Sequence, residues 1–430
     1  MGQLRIFHTA DWHLGKNFGN FDRTDDFRLF LNDFLGLVVE RRPDVVLIAG
    51  DIFDTSMPSS AAQALWYDFI GRLADTDVAL TVVTAGNHDS QRFLEAPSPL
   101  LQSMRCIIAS DIPEEEAVIF EKNGRPALGI AAVPYLREAD VRTGSLDYTD
   151  EDRAALFEKG VLNRYTRVRE VLAEKAQGAD IPMIAMGHLF VTGSKMKPDG
   201  SGEAREKRES VHVGTLRNVS VDAFGHDWDY VALGHIHNSQ EVKNTEPMYY
   251  SGSPLALSFG HKLYKHIVIE VNIDDDKTLT VVKHPVRQPR RFVSLSGTFD
   301  ELLEGIREAG AASYEREALV EAKLTSNEVV DNLVARLQEA GEKAGVRVMI
   351  VRNERAVREL LKNEEVGFDL TQLSPTEVFK TVLRERFETD EAVEEKWREF
   401  GPLFAEIEEE VRREAAPESD ARRALKAEEK

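Results

Sequence analysis

The feature that most restricts how this chain can fold is a series of five short apolar runs, each closed by a turn and followed by a residue able to bind a metal ion. The runs are "LRIF", "DVVLIAG", "ALTVVTAG", "IPMIAMG" and "YVALG". Short, rich in Val, Ile and Leu and bounded by turn residues, they read as strands. After them come Asp11 and His13 in "HTADWH", Asp51 in "AGD", Asn87 and His88 in "GNHD", His188 in "MGH", and His235 and His237 in "GHIH". Taken singly, each terminus is an ordinary turn: a histidine after an apolar run is usually structural, and Asp51 can simply cap a bend. Five of them in one chain, each with the right ligand type, are hard to treat as independent accidents. Strands that leave one edge of a sheet together deliver the residues after them to one crevice, where open α/β sheets bind ligands. In an extended chain, D-x-H and H-x-H also send both side chains the same way.

Between the first two runs, "DDFRLFLNDFLGLVVERR" places Phe27, Phe30, Leu31, Phe34, Leu35 and Val38 on one face at helical spacing. A second helix is expected from about Ser60 to Leu73. Strand, helix, strand, helix, strand favours a sheet with helical crossovers. Farther on, "MYYSGSP", "HIVIEVN" and "LTVVKHPV" follow one another without room for helices, as antiparallel strands do. The fold class expected for residues 1–285 is α/β, a two-sheet β-sandwich flanked by helices. The prolines and arginines of "HPVRQPRRF" mark a boundary, after which strands and helices alternate in a small α/β domain over 286–370. Lys195 to Ser210 reads as a long exposed loop. Residues 374–430 are highly charged, with Val378, Phe379, Val382 and Leu383 on one helical face and Trp397, Phe400, Phe404, Ile407 and Val411 on another. Such a helical tail needs an apolar surface to dock on.

Asp11, His13, Asp51, Asn87, His188, His235 and His237 make seven candidate ligands, too many for one ion. If one carboxylate bridges, seven become four for each of two, and Asp51, on a central strand beside the compact Gly50, is the plausible bridge. Imidazole, carboxylate and amide donors suit Mn, Fe or Zn better than calcium, and the absence of thiolate disfavours a closed structural zinc site. Two ions about 3.5–4 Å apart are the apparatus of phosphoester hydrolysis. His88 is spare in this count, and a histidine at the rim can protonate a leaving oxygen or stabilise charge on the phosphate. Asp54 and Asp89 read as turn residues or as groups that orient a ligand histidine. The other histidines, His8, His212, His226, His261, His266 and His284, default to structural or solvent-facing roles.

D-x-H, G-D-x-x-D, G-N-H-D, G-H and G-H-x-H, in this order from Asp11 to His237, resemble the signature of calcineurin-like metallophosphoesterases. "HTADWHLG", "GDIFDTSMPSS", "GNHDS" and "ALGHIH" are similar to the bacterial nuclease subunits of the double-strand-break-repair branch. The resemblance implies a Mn-dependent DNA exonuclease and endonuclease with one ion on Asp11, His13, Asp51 and His237 and the other on Asp51, Asn87, His188 and His235. It makes His88 the catalytic histidine. Some relatives carry a histidine where this chain has Asp54, so no catalytic role carries over to that position. The resemblance further implies that the small domain caps the DNA, that the tail docks on a coiled-coil ATPase, and that a homodimer forms within a heterotetramer.

Composition bears on partners more than on fold. The net charge of -21 opposes broad attraction to nucleic acid, although metals and a local basic patch can reverse the potential at one site. A single cysteine, Cys106, excludes an internal disulfide framework and fits a reducing compartment. The opening "MGQLRIFHTADWHLG" has no basic segment leading into an apolar stretch, and no later run reaches the ~18 residues that cross a bilayer. A cytoplasmic protein with DNA ends and hairpins as substrate and no membrane partner is expected. The competing readings are a calcineurin-like phosphodiesterase or phosphatase on another substrate, and a metal-bound scaffold without turnover.

Overall fold

The computed structural model describes residues 3–353 apart from 20, 142–149, 192–218, 243–246, 313, 327 and 329, together with 396–398. The expected loop from Lys195 to Ser210 and nearly all of the expected tail lie outside the described residues. Residues up to Arg352 belong to one compact unit, and those from Asn353 onward to a second.

Two six-stranded sheets face each other. The first has the order β12-β11-β1-β2-β3-β4, with β1 (Leu4–Thr9), β2 (Val45–Ala49), β3 (Leu80–Thr84), β4 (Cys106–Ile108), β11 (Ile267–Ile273) and β12 (Leu279–Pro285). From β1 to β4 the strands are parallel, while β11 and β12 add on antiparallel. The second has the order β5-β6-β7-β8-β10-β9, with β5 (Ala117–Lys122), β6 (Arg125–Ala132), β7 (Met183–His188), β8 (Tyr230–Gly234), β9 (Gln240–Glu241) and β10 (Met248–Tyr250). Here β6, β7, β8 and β10 are parallel.

Period-two alternation builds the layers. On β2, Val45, Leu47 and Ala49 point into the space between the sheets and meet Leu128, Ile130, Ile184, Met186 and Ala232. Val46 and Ile48 point the other way, under the crossover helices α1 (Thr24–Arg41) and α2 (Ser60–Ala74). Those helices bury the predicted stripe of Phe27, Phe30, Leu31, Phe34, Leu35 and Val38, and Leu65, Trp66, Phe69 and Leu73 opposite it. Each such side chain contributes about 1.5–3 kcal/mol of burial. The outer face of the second sheet is covered by a long helix, α3 (Asp150–Lys175), through Val161, Tyr165, Val168 and Leu172. His8 ties the sheets together, with Nδ1 2.9 Å from Tyr230 Oη and Nε2 3.2 Å from Leu233 O.

β12 ends at Pro285 and a third sheet, β13 (Phe292–Gly297), β14 (Leu319–Leu324) and β15 (Arg347–Asn353), begins seven residues later. With α4 (Phe299–Ala311) and α5 (Leu333–Ala344) it keeps a core of its own around Leu302, Ile306, Val320 and Leu337. An ionic clamp fastens it to α1: Arg290 donates to both oxygens of Asp26 at 2.8–3.0 Å, and Arg23 Nε donates to the same carboxylate at 3.1 Å. All three side chains are buried. Among the described residues no helix is long and apolar enough to cross a membrane.

Candidate metal centre

The five strand ends do meet, with a correction to the geometry expected of them. They do not leave one edge of one sheet: β1, β2 and β3 belong to the first sheet, β7 and β8 to the second. The crevice therefore lies between the layers, and the donors face each other across it. Nor are the D-x-H and H-x-H turns extended. Asp11, His13, Asp51 and His235 have φ of 55°, 49°, 52° and 94°, in the left-handed region that side chains rarely adopt. Backbone bonds hold them there, from Asp11 N to Gly50 O (3.0 Å) and from His13 N to Asp51 O (3.0 Å). Asp89 braces the neighbouring loops by accepting from the N–H groups of Ile52 (3.1 Å), Phe53 (2.9 Å) and Gly86 (2.9 Å). Side chains would be intolerable at several glycines here, Gly50 and Gly86 among them. A Cβ at Gly50 (φ 84°) would strike the His188 ring, and one at Gly86 would fall on Asp51 Oδ1.

Donor atoms of Asp11, His13, Asp51 and His237 all lie within 4.8 Å of one another, the four residues that the family resemblance assigns to one ion. His13 Nε2 is 3.1 Å from His237 Nε2 and 3.5 Å from Asp51 Oδ2. His188 Nε2 lies 3.2 Å from that same oxygen. Asn87 Oδ1 is 3.2 Å from His188 Nε2 and 3.0 Å from His235 Nδ1. Asp51 Oδ2 thus sits between a His13/His237 group and a His188/His235/Asn87 group, the position a bridging carboxylate needs.

The donor set fits cations on three further observations. Asp11 accepts the His235 N–H at Oδ1 (2.9 Å), but its buried Oδ2 has no partner, an arrangement that costs free energy unless something positive completes it. His188 gives its Nδ1 proton to Ala49 O (2.8 Å), and His13 turns Nδ1 to Asp54 Oδ1 (3.2 Å), so both aim Nε2 inward as ligating histidines do. Finally, the buried carboxylates and imidazoles shift one another's protonation strongly. Burial pulls the His188 imidazole down, yet Asp51 and Asp11 override it and raise its pKa to about 9. Burial raises Asp11 to about 6, whereas Asp51, which burial also opposes, is held well below the usual carboxylate range by His188 and His13. His235 falls to about 3 through burial and the neighbouring His188 charge.

His88 stands at the edge of this cluster, half-buried, with its Nδ1 donating to Asp54 O (2.9 Å) and its ring 4.8 Å from that of His13. Its backbone N–H donates to Asp51 Oδ1 (2.9 Å). His261, set aside on sequence, lies against His237 with ring centroids 5.2 Å apart. Tyr135, which no pattern singled out, packs on His188. Of the other histidines, His212 lies outside the described residues, His226 is exposed, His266 Nδ1 bonds to Ser253 O (2.8 Å) and His284 Nε2 to Glu270 (2.7 Å).

Comparison with known proteins agrees with this architecture. The family model of calcineurin-like phosphoesterases matches residues 4–239, more than half of the chain, and the chain belongs to that family. Within it, the similarity is to SbcD, the D component of SbcCD nucleases. The chain is 29% identical to the SbcD protein of Escherichia coli K12 over 381 residues, 87% of this chain and 92% of that one. The SbcD protein of Bacillus subtilis 168 is 31% identical over 273 residues, 63% of this chain and 66% of its own. For that of Rhodobacter capsulatus the figures are 30% over 276 residues, 61% and 65%. A second family model, described as the type 5 capsule protein repressor C-terminal domain, matches residues 288–387.

Proposed function

We propose that the chain is a metal-dependent DNA nuclease that hydrolyses phosphodiester bonds at a two-ion centre. The observation that carries this is Asp51 Oδ2 lying between His13 Nε2 and His188 Nε2, 3.5 and 3.2 Å away, with the Asp11 carboxylate beside them half unpartnered. Asp11, His13, Asp51 and His237 would hold one ion, and Asp51, Asn87, His188 and His235 the other. When bound, two divalent ions, manganese first, supply Lewis-acid activation of the attacking water and neutralise charge on the phosphate.

The remaining work falls to side chains. His88, oriented by its Nδ1–H bond to Asp54 O, presents Nε2 to the substrate and, protonated, delivers that proton to the leaving oxygen. Asp54 keeps the His13 ring in register, and Asp89 keeps the Asp51 and Asn87 loops together. DNA as substrate is favoured by the nuclease names of the relatives over most of the chain. In this reading residues 1–285 are the nuclease domain, the small α/β domain of 286–370 caps the DNA, and the tail of 374–430 docks on an SbcC-type coiled-coil ATPase. The assembly is a homodimer within a heterotetramer, acting in the cytoplasm in repair of DNA ends and hairpins. The lone cysteine supports a reducing compartment.

The test is cleavage of single-stranded, blunt duplex and hairpin DNA with and without manganese and the ATPase, in wild type and His88→Ala. The expected result is manganese-dependent cleavage that falls by about 10²–10⁴-fold in the variant, with two metals still bound. Full activity in His88→Ala would remove its catalytic role. Hydrolysis of model esters but of no DNA, even beside the ATPase, would reassign the chain as a phosphodiesterase of another substrate. Two bound metals without turnover on anything would make it a scaffold.

A further inference from the structure

Five strand termini carry the candidate donors, and a sixth reaches the same rim. β6 runs parallel to β7 with Ala132 opposite Met186, so the residues that come after it, Val133, Pro134 and Tyr135, continue beside Gly187 and His188. Tyr135 is held in place twice over. Its backbone N–H donates to Ala85 O (2.9 Å), two residues before Asn87. Its ring stands edge-on to the His188 imidazole, with centroids 6.3 Å apart at 81°. The residue is half-buried, and its hydroxyl has no hydrogen-bond partner among the described residues. Other tyrosines in the sandwich close their hydroxyls on the fold: Tyr165 donates to Met186 O (2.9 Å), Tyr250 to Leu189 O (2.9 Å), and Tyr230 meets His8 Nδ1 (2.9 Å). The Tyr135 hydroxyl is left without such a bond among the described residues, on a ring that packs against His188, which in turn lies 3.2 Å from Asn87 Oδ1.

We infer that Tyr135 is a substrate-binding residue of this centre, its phenol O–H donating to a non-bridging oxygen of the phosphodiester held on the His188 and Asn87 side. The inference rests on the phosphoesterase reading of the site but not on DNA being the substrate. A phenol is protonated at neutral pH and offers one donor, and a phosphate oxygen is an anionic acceptor for which such a bond is shorter and stronger than a neutral one. The backbone anchor at Ala85 and the ring contact with His188 restrict the side chain before substrate arrives. As negative charge grows on the phosphoryl oxygens toward the transition state, the bond strengthens, and its loss appears in kcat.

Tyr135→Phe removes the hydroxyl and keeps the ring; Tyr135→Ala removes both. The full-length chain with manganese is assayed on a hairpin DNA and on bis(p-nitrophenyl) phosphate, alongside metal content, melting temperature and calorimetric binding of inorganic phosphate. The expected result is that Tyr135→Phe holds its metals and melting temperature, binds phosphate more weakly, and loses about tenfold or more in kcat on every substrate the wild type cleaves. Wild-type kcat and phosphate affinity in Tyr135→Phe, with loss confined to Tyr135→Ala, would reduce the residue to packing against His188 and overturn the inference. Loss of metal or of thermal stability in Tyr135→Phe would overturn it as well. If the wild type cleaves the aryl diester but no DNA, the DNA assignment fails while Tyr135 is still tested on the small substrate. If it cleaves neither, the reaction assigned to the residue disappears and the inference with it.

Discussion

Replacing Asp54 with Ala separates orientation from ligation at the proposed centre. The carboxylate Oδ1 is 3.2 Å from His13 Nδ1 and 3.1 Å from Lys16 Nζ, whereas the acceptor for His88 Nδ1 is the backbone oxygen of the same residue. The substitution therefore removes the brace on His13 and leaves the anchor of His88 in place. Removing a group that orients a ligating histidine typically costs 10–100-fold in metal affinity, or about 1.4–2.7 kcal/mol. The Asp54 side chain is 20% exposed, so water replaces part of its hydrogen bond to His13, and the lower end applies, about tenfold. Manganese titration of the metal-free chain, by calorimetry and by cleavage rate against metal concentration, reads the effect directly. The midpoint is expected to rise about tenfold while cleavage at saturating manganese returns near the wild-type rate. An unchanged midpoint would refute the bracing role. Full metal occupancy with activity as low as in His88→Ala would place Asp54 in the chemistry itself.

Two further predictions concern stability. Asp26→Ala leaves the buried Arg23 and Arg290 guanidinium groups without their common anion, and urea unfolding should show a loss of about 3–5 kcal/mol; a loss under about 1 kcal/mol would mean that their remaining bonds to Ala256 O and Glu317 O suffice. Glu270 is buried, which by itself would raise its pKa, but hydrogen bonds from Arg41, Asn272 and His284 win and lower it to about 2. A depressed acid contributes stability that is fully present above its unfolded value of 4.5 and is lost as the pH falls toward about 2. Unfolding free energy measured from pH 5 to 2.5 should drop less steeply in Glu270→Gln than in wild type, and equal slopes would refute the assignment.

What the sequence made legible was the chemistry at the strand ends, because ligand types are written in single letters and strands in runs of Val, Ile and Leu. The α1 stripe was equally plain, since Phe27 to Val38 keep helical spacing without interruption. Less legible was everything that depends on which elements become neighbours. β6, from "RPALGIAA", mixes Arg, Pro, Gly and Ala and ends in no ligand, so nothing marked it as the strand that would bring Tyr135 to the rim. The long helix from Asp150 to Lys175 carries its apolar stripe among many charges, which blurs the pattern. His261 lies outside every strand-end turn, and only the return of the chain after β10 sets it against His237. Asp54 and Asp89 were visible as turn carboxylates, but whether each would brace a side chain or a backbone depended on the loops they were folded into.

The expectation of one sheet edge failed for a reason that also explains how the site is held. Its two halves belong to different sheets, so the distance between the layers sets the distance between donors. That distance is fixed by His8 reaching across to Tyr230 and Leu233, three residues before Asp11 and two before His235. It is fixed again at the site by Asp11 Oδ1 accepting the His235 N–H. In the half that follows β1 and β2, left-handed residues at Asp11, His13 and Asp51 carry strain of about 1–3 kcal/mol each, sustained by the bonds that lace the β1 loop to the β2 loop. Two carboxylates desolvated side by side, an unpartnered oxygen and imidazoles turned nitrogen to nitrogen are unfavourable together without positive charge. On the proposed two-ion reading, a fold that keeps them so has moved the cost of assembling the ligands into its own core, and cations would find the donors already gathered.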